Sequence, residues 1–349
     1  MSGRGRWAWL AAVVAVVLLA TGGYGVWAYL DYQGRVSAAD EAAGDAVPFE
    51  SVLDGPRVLF RNTVLGQQYG LVAAVPLEGA DGTDATVAPD APRAVSKVAC
   101  DRVHASADRV LCLHTDRRLG SKFEAKLYDN EWNELGGWPL PGVPSRTRIT
   151  PDSQLWASTA FVTGHSYATI GFSTATTISG ADGTEYGNLE DFTTTIEGEP
   201  LTTSDRNFWG VTFADDGNTF YATAASGGST WLVRGDLAKR TMVSLRSNVE
   251  CPSLSPDGTR IAFKKNVSTG SVSSWSIAVY DLASGTETVV PGESSVDDQV
   301  EWLDDNTLLF GLPRPDAVGD SDVWSAPADG SAEPTLFIEH AWSPAVVRG

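Results

Sequence analysis

The hydrophobic and polar positions divide the chain into one long apolar run followed by many short ones. Residues 7–30 contain no charged side chain, and as an α-helix these 24 residues would span roughly 36 Å, enough to cross a bilayer core. Arg4 and Arg6 precede the run, and basic residues favour the cytoplasmic side. We therefore predict a cytoplasmic segment at 1–6, a transmembrane anchor at 7–30 and an extracytoplasmic remainder. The alternative is a signal peptide that is cleaved before secretion.

The pattern changes after the anchor. Residues 31–56 are rich in Ala, Asp and Glu, which predicts a stalk between the membrane and a folded domain. Beyond residue 56 the apolar residues form short runs of Val, Ile, Thr, Phe, Tyr and Trp that are separated by Gly, Pro, Asp and Asn. Such runs are typical of strands joined by turns, so we predict an all-β domain over residues 57–349.

The β-rich region repeats itself. The segment LSPDGTRIAF at 254–263 resembles FADDGNTFYA at 213–222, ITPDSQLWAS at 149–158, VHASADRVLC at 103–112 and the shorter WLDDNTLLF at 302–310. Pro, Asp and Gly suit successive corners of a tight turn between two strands. The apolar residues before these turns are spaced 46, 64, 41, 48 and 40 residues apart, and four of these intervals match a propeller blade. The aligned residues are Val103, Ile149, Phe213, Leu254, Trp302 and Trp342.

Each repeat also carries a second pair of strands, as in WSIAVYDLASGTETVV at 275–290, so each predicts a four-stranded antiparallel blade. Five repeats are complete, and the sixth is divided between the chain ends. WSPAVV at 342–347 supplies its inner strand, while segments 58–62 and 70–77 supply the rest. Joining both ends in one blade closes the ring. We predict a six-bladed β-propeller, with seven blades as the alternative if the insertion behind the 64-residue interval forms its own.

The segment SPDGTRIAF, followed downstream by VYDLASG, resembles the repeats of TolB-type six-bladed propellers, a WD-repeat-like family. The resemblance covers roughly residues 57–348. It implies the propeller fold, but it implies little about function, because such blades occur in binding proteins and as non-catalytic domains of peptidases.

The chain has three cysteines, Cys100, Cys112 and Cys251, in a domain predicted to be exported, where disulfides are permitted. A three-residue turn would pair His104 with Asp108 and, counting outward, would place Cys100 opposite Cys112. Directly opposed residues of an antiparallel pair are close enough for a disulfide. We therefore predict a Cys100–Cys112 bond and an unpaired, buried Cys251 in an inner strand.

The segment GHSYA at 164–168 raises the possibility of a hydrolase, because it resembles the Gly-x-Ser-x-Gly turn that presents a nucleophilic serine. A nucleophile elbow joins a strand to a helix, whereas the residues after Ser166 are rich in β-formers and Gly. We interpret the segment as strand and loop. We retain His165 and Tyr167 as part of a binding surface, together with the insertion at 177–200, which we predict to form a long hairpin or loop over one face of the ring.

A second candidate surface lies where the chain leads into the inner strands. Asp297, Asp298 and Glu301 precede the aligned Trp302, and Glu250 holds the equivalent position one repeat earlier. Since such positions gather around one mouth of the channel, we predict a ligand-binding mouth there. No cofactor is expected, although carboxylates could hold calcium, and the plainer interpretation is solvated turn acids. The predicted set is Arg146, Asn207, Trp209, Glu250, Asp297, Asp298 and Glu301.

The net charge limits the classes of partner that the chain can bind. The formal net charge is -19, and such an acidic surface repels phosphate backbones, which argues against nucleic acid as a partner. The sequence therefore favours a membrane-tethered propeller that binds a protein, a peptide or another envelope ligand without catalysis. The alternative is a propeller enzyme, a hydrolase or lyase, with its site in the central channel.

Overall fold

The structure is a computed structural model that describes residues 3–42, 47–53, 55–77, 86–118, 120–162, 173–269, 274–292 and 296–348. The N-terminal unit contains one α-helix, α1, at Gly3–Ala42. Within it, Trp9–Gly34 has a mean hydropathy of 2.0 and is long and apolar enough to cross a membrane. Residues 31–42 of the predicted stalk continue this helix, and a 3-10 turn follows at Phe49–Val52.

The second unit is a ring of six antiparallel sheets, each with four strands in its blade, as predicted. The strands of the first three blades are β1 (Arg57–Asn62), β2 (Leu71–Pro76), β3 (Ala94–Ala99), β4 (Arg102–Ala105), β5 (Arg109–Asp116), β6 (Lys122–Asp129), β7 (Glu134–Pro139), β8 (Val143–Ile149), β9 (Leu155–Val162), β10 (Ser173–Gly180) and β11 (Glu185–Asn188). Strands β4–β7 form blade 2, and β8–β11 form blade 3.

The remaining strands continue the ring. They are β12 (Thr193–Ile196), β13 (Glu199–Pro200), β14 (Asn207–Phe213), β15 (Thr219–Ser226), β16 (Ser229–Asp236), β17 (Thr241–Ser247), β18 (Glu250–Leu254), β19 (Arg260–Asn266), β20 (Trp275–Asp281), β21 (Glu287–Val289), β22 (Glu301–Trp302), β23 (Thr307–Pro313), β24 (Ser321–Pro327), β25 (Thr335–Ile338) and β26 (Ala341–Val347). Strands β14–β17, β18–β21 and β22–β25 form blades 4, 5 and 6.

The two ends of the β-rich region close the ring in blade 1, as predicted. Its strand order is β26-β1-β2-β3, with β26 as the inner strand. Strand β26 runs antiparallel to β1, pairing Val58 with Val346 and Leu59 with Ala345. Each of the six blades therefore has four strands, and its inner strand lies at the channel.

The long insertion does not form a seventh blade, and its described part does not reach over a face of the ring. Residues 177–188 belong to the β10–β11 hairpin of blade 3, and β12 and β13 join blade 4. Strand β12 runs parallel to β17, the outermost strand of that blade. We predicted a long hairpin or loop over one face, and a hairpin does form at 177–188, but it belongs to blade 3. The threonine-rich segment 193–196 covers an edge of blade 4 that would otherwise be open.

An apolar cluster fills each interface between neighbouring blades. Strand side chains alternate between the two faces of a sheet, so each blade presents one apolar face to each neighbour. Fully buried examples are Leu59 between blades 1 and 2, Leu111 between 2 and 3, Phe208 between 3 and 4, Phe263 between 4 and 5, Phe310 between 5 and 6, and Phe60 between 6 and 1.

The cysteines pair as predicted, although the predicted register was wrong. Cys100 and Cys112 form a disulfide with a Cα–Cα distance of 5.4 Å, and Cys251 is free and buried. His104 pairs with Leu111 rather than with Asp108, because the turn is longer than three residues. Cys100 still meets Cys112, because it lies just before β4, where the chain crosses from blade 1 to blade 2.

Candidate functional site

The channel has two mouths, which the strand directions define. We call the mouth formed by the loops that lead into the inner strands the entry mouth. We call the opposite mouth, formed by the tight turns after the inner strands, the turn mouth. Residues 297–301 lie between the two mouths, and we call them the axial segment. The segment leads into β22 of blade 6, and its side chains contact each of the other five blades. It therefore links all six blades of the ring.

Asp298 is the most deeply buried acid of the axial segment, with 1% of its surface exposed. Its carboxylate accepts a hydrogen bond from Arg102 Nη1 of blade 2 at 2.8 Å. It also accepts bonds from the backbone N–H groups of Gly311 in blade 6 at 3.3 Å and Ser343 in blade 1 at 3.2 Å. Burial and the nearby Arg146 lower the pKa of Arg102 to about 10, so Arg102 remains charged at neutral pH.

Gln299 reaches the opposite side of the channel. Its Nε2 donates to the carbonyl oxygens of Val211 in blade 4 at 3.3 Å and Pro252 in blade 5 at 3.4 Å. A single amide therefore connects two neighbouring inner strands at positions where their carbonyl groups face the channel.

Glu301 forms the third link. Its carboxylate pairs with Arg148 of blade 3, lies 3.4 Å from Nε2 of His104 in blade 2, and accepts from the N–H of Val346 in blade 1 at 3.3 Å. Although burial opposes ionisation, Arg148 and His104 lower the pKa of Glu301 to about 2. Burial, assisted by Arg148, lowers the pKa of His104. Glu301 is therefore a buried carboxylate that binds three blades together.

Asp297 differs from the other two acids because 78% of its side chain is exposed at the entry mouth. Its Oδ1 lies 3.3 Å from Arg146 Nη2 and 3.0 Å from Lys264 Nζ. Partial desolvation opposes its ionisation, but Lys264 and Arg146 outweigh it and lower the pKa of Asp297. The predicted residues Arg146, Asp297, Asp298 and Glu301 thus lie together at the channel axis.

The other predicted residues occupy structural positions near the entry mouth. Asn207 accepts from the backbone N–H of Thr174 at 2.8 Å, and Trp209 is buried. Glu250 accepts from Trp275 Nε1 at 2.9 Å. His165 and Tyr167, like Ser166, lie outside the described residues. The interpretation of the acids as solvated turn residues is wrong for Asp298 and Glu301, which are buried.

Sequence reasoning missed the basic side chains that face these acids. They are Arg102, His104, Arg148 and Lys264. Two of the inner strands contain the patterns Arg-Val-His and Arg-Thr-Arg, in which residues two apart lie on one face. That alternation was a usable signal, because inner strands that converge on an axis direct one such face into the channel.

A cavity of about 710 Å³ opens at the turn mouth. The tight turns of blades 2, 3, 4 and 5 form its wall, and His104, Arg148 and Glu301 lie at its floor. Four further acids lie in its wall: Asp152, Asp215, Asp216 and Asp257. Three of them serve the turns themselves, since Asp257 accepts from the N–H of Thr259 at 3.0 Å, Asp216 from that of Thr219 at 2.6 Å and Asp152 from that of Gln154 at 3.0 Å. Within the described residues, no group of three His, Cys, Asp or Glu side chains is placed to hold a metal ion.

Comparison with known proteins identifies the fold. No family model and no curated protein matches the sequence. Among solved structures, the chain is similar to TolB from Acinetobacter baumannii, with 15% identity, a TM-score of 0.58, and coverage of 84% of this chain and 67% of that one. It is also similar to a chain of a nidogen/laminin complex, with 12% identity, a TM-score of 0.51, and coverage of 84% and 98%. A putative TolB from Agrobacterium tumefaciens matches with 11% identity, a TM-score of 0.48, and coverage of 81% and 88%. The chain has the fold of a TolB-type six-bladed propeller.

Proposed function

We propose that this chain is a membrane-tethered, extracytoplasmic propeller that binds a protein or peptide ligand of the cell envelope without catalysing a reaction. The observation that carries the proposal is the cavity at the turn mouth. Its volume of about 710 Å³ lies within the range of ligand sites, and its wall consists of turns from four blades on a rigid ring. The apolar stretch Trp9–Gly34 supports the membrane anchor.

The chemistry of the cavity favours recognition over catalysis. At its floor, His104 lies 2.8 Å from Arg148 Nη1 and 3.3 Å from the backbone nitrogen of Ile149, while Glu301 pairs with Arg148. These groups are buried and hold neighbouring blades together. The carboxylates at the wall attract positive charge, so a basic segment of a partner suits the cavity.

The test is photo-crosslinking in the envelope of cells that express the full chain. A benzophenone amino acid replaces Ala107, an exposed turn residue that lines the cavity. The matched control carries it at Glu199, an exposed residue of β13 at the outer edge of blade 4. We expect one reproducible crosslinked protein from position 107 and none from 199, and we expect Asp215→Lys to weaken this crosslink. The same products from both positions, or none from 107, would contradict the proposal.

A propeller hydrolase or lyase is the second candidate, and the juxtaposition of His104 with Glu301 at the floor of the cavity is the observation that favours it. An enzyme that uses this pair would lose turnover on His104→Gln while it still bound its substrate. A binding module would keep the crosslink from position 107 in the same variant. Crosslinking and turnover of the captured ligand therefore distinguish the two functions.

A further inference from the structure

Two buried cations from different blades face the entry mouth. Arg146 in β8 of blade 3 and Lys264 in β19 of blade 5 are 7% and 4% exposed. Both contact a single carboxylate oxygen, Oδ1 of Asp297, at 3.3 and 3.0 Å. Burial of a cation is costly unless an anion and hydrogen bonds compensate it, so this pair of cations requires an anion at that position.

The compensation that the chain supplies is incomplete. Arg102 pairs with the buried carboxylate of Asp298, and Arg148 with that of Glu301. Arg146 and Lys264, by contrast, share the carboxylate of Asp297. Arg146 Nε is also buried without a hydrogen-bond partner among the described residues. The carboxylate of Glu250, which lies opposite Lys264 in the β18–β19 pair, accepts instead from Trp275 Nε1 at 2.9 Å. The position therefore carries one positive charge in excess.

The anion that occupies the position is exposed to solvent. The side chain of Asp297 is 78% exposed, in contrast to the buried carboxylates of Asp298 and Glu301. Its described side-chain partners are the two cations. The ring of Trp275 forms an apolar wall beside them, with Lys264 Nζ 5.1 Å from its centroid. The carboxylate that meets the two cations is therefore on the solvent side of the pair.

We propose that Arg146 and Lys264 form a carboxylate-binding site at the entry mouth, which Asp297 fills in the free protein and which an acidic side chain or C-terminus of a peptide takes over on binding. The site lies at the opposite mouth from the cavity described above and does not depend on the function proposed for that cavity. Asp297 is then an internal competitor, so its removal strengthens binding while removal of either cation abolishes it.

The first experiment measures the thermal midpoint of the full chain in detergent as sodium acetate replaces sodium chloride at constant ionic strength. We expect acetate to raise the midpoint of Asp297→Ala by about 2 °C or more, because a ligand that binds the folded state stabilises it. The thermal midpoint of the wild type should not change. That of Asp316→Ala, a control that removes an exposed carboxylate elsewhere on the ring, should not change either. The double variant Asp297→Ala/Lys264→Met should not respond either. If Asp297→Ala does not fold, Asp297→Asn removes the charge with little change in volume.

The second experiment measures binding of a fluorescent Gly/Glu octapeptide by anisotropy, with a free or an amidated C-terminus and with a Gly/Gln octapeptide as the control. We expect the Glu peptide to bind Asp297→Asn about tenfold or more tightly than the wild type, which corresponds to removal of one competing charged group. Arg146→Gln should abolish binding. Comparison of the free and amidated peptides distinguishes recognition of the Glu side chains from recognition of the C-terminal carboxylate.

Two results would overturn the inference. An acetate response that is equal in Asp297→Ala and Asp316→Ala would remove the carboxylate site. An acetate response without any Glu-dependent peptide binding would remove the peptide as its ligand. Neither result depends on whether position 107 crosslinks a partner, so failure here is distinguishable from failure of the proposed function.

Discussion

Replacement of Glu301 by Gln tests whether the axial segment holds the ring together. The substitution keeps the size of the side chain and removes the charge, which leaves Arg148 buried without its carboxylate. The pKa of Glu301 is lowered from 4.5 to about 2, because Arg148 and His104 outweigh the opposing burial. At 1.36 kcal/mol per pKa unit, ionised Glu301 stabilises the folded state by roughly 3 kcal/mol, similar to the cost of breaking a buried ion pair.

The assay is urea unfolding of the full chain in detergent, followed by the fluorescence of its 12 tryptophans. Glu199→Gln is the matched control, because Glu199 is exposed at the outer edge of blade 4. We expect Glu301→Gln to lose about 3 kcal/mol in the free energy of unfolding at pH 7, and we expect the control to change by less than about 0.5 kcal/mol.

The pH dependence gives an independent check. The folded-state pKa of Glu301 is depressed, so its contribution is fully present above its unfolded pKa of about 4.5 and disappears as pH falls toward about 2. The difference between wild type and Glu301→Gln should therefore be constant from pH 7 to 5 and should shrink below that. A loss of less than 1 kcal/mol at pH 7, or a difference that grows at low pH, would refute the reasoning.

Two further substitutions and one deletion test other parts of the ring. Thiol titration of the unfolded, unreduced chain should find one free thiol, that of Cys251, and replacement of Cys100 and Cys112 by Ser should cost about 3 kcal/mol in urea unfolding. Gly210→Ala should destabilise the chain by about 2 kcal/mol or more in the same assay, because Gly210 has φ +66° and its added Cβ would lie 2.6 Å from the Cα of Cys251. Deletion of residues 341–349 removes the inner strand of blade 1, and size-exclusion chromatography should then show aggregates instead of a single species.

Much of the fold was predictable because each repeat is marked by the residues of its own turn. The turn residues and their spacing of 40 to 48 residues predicted the blades, and the segment at 342–347 predicted the closure. The register was less predictable. Ser255 N–H donates to the carbonyl of Arg260, so even the clearest Pro-Asp-Gly turn contains four residues instead of three. Turn length depends on side-chain bonds such as that from Ser255 Oγ to Asp257, which a spacing argument does not include.

The site was predictable only in part. Asp297, Asp298 and Glu301 stood out as a cluster of acids, yet their roles differ, and the difference depends on residues 150 or more positions away. Arg148 lies 153 positions from Glu301, and Arg102 lies 196 from Asp298. Sequence alone does not distinguish a buried acid that pairs with a distant arginine from an acid that faces solvent. Once the inner strands are known to converge, the alternating basic residues identify the buried pairs.

Closure of blade 1 by both ends of the β-rich region also sets an order for folding. Strand β1 is among the first strands to leave the ribosome, but its partner β26 is the last, so the inner edge of β1 remains open until synthesis of residues 341–347 is complete. Pairings between such distant segments form slowly, and open strand edges are prone to aggregation. Until β26 pairs with it, β1 therefore remains an open edge, and we expect the ring to become resistant to proteolysis only when this pairing forms.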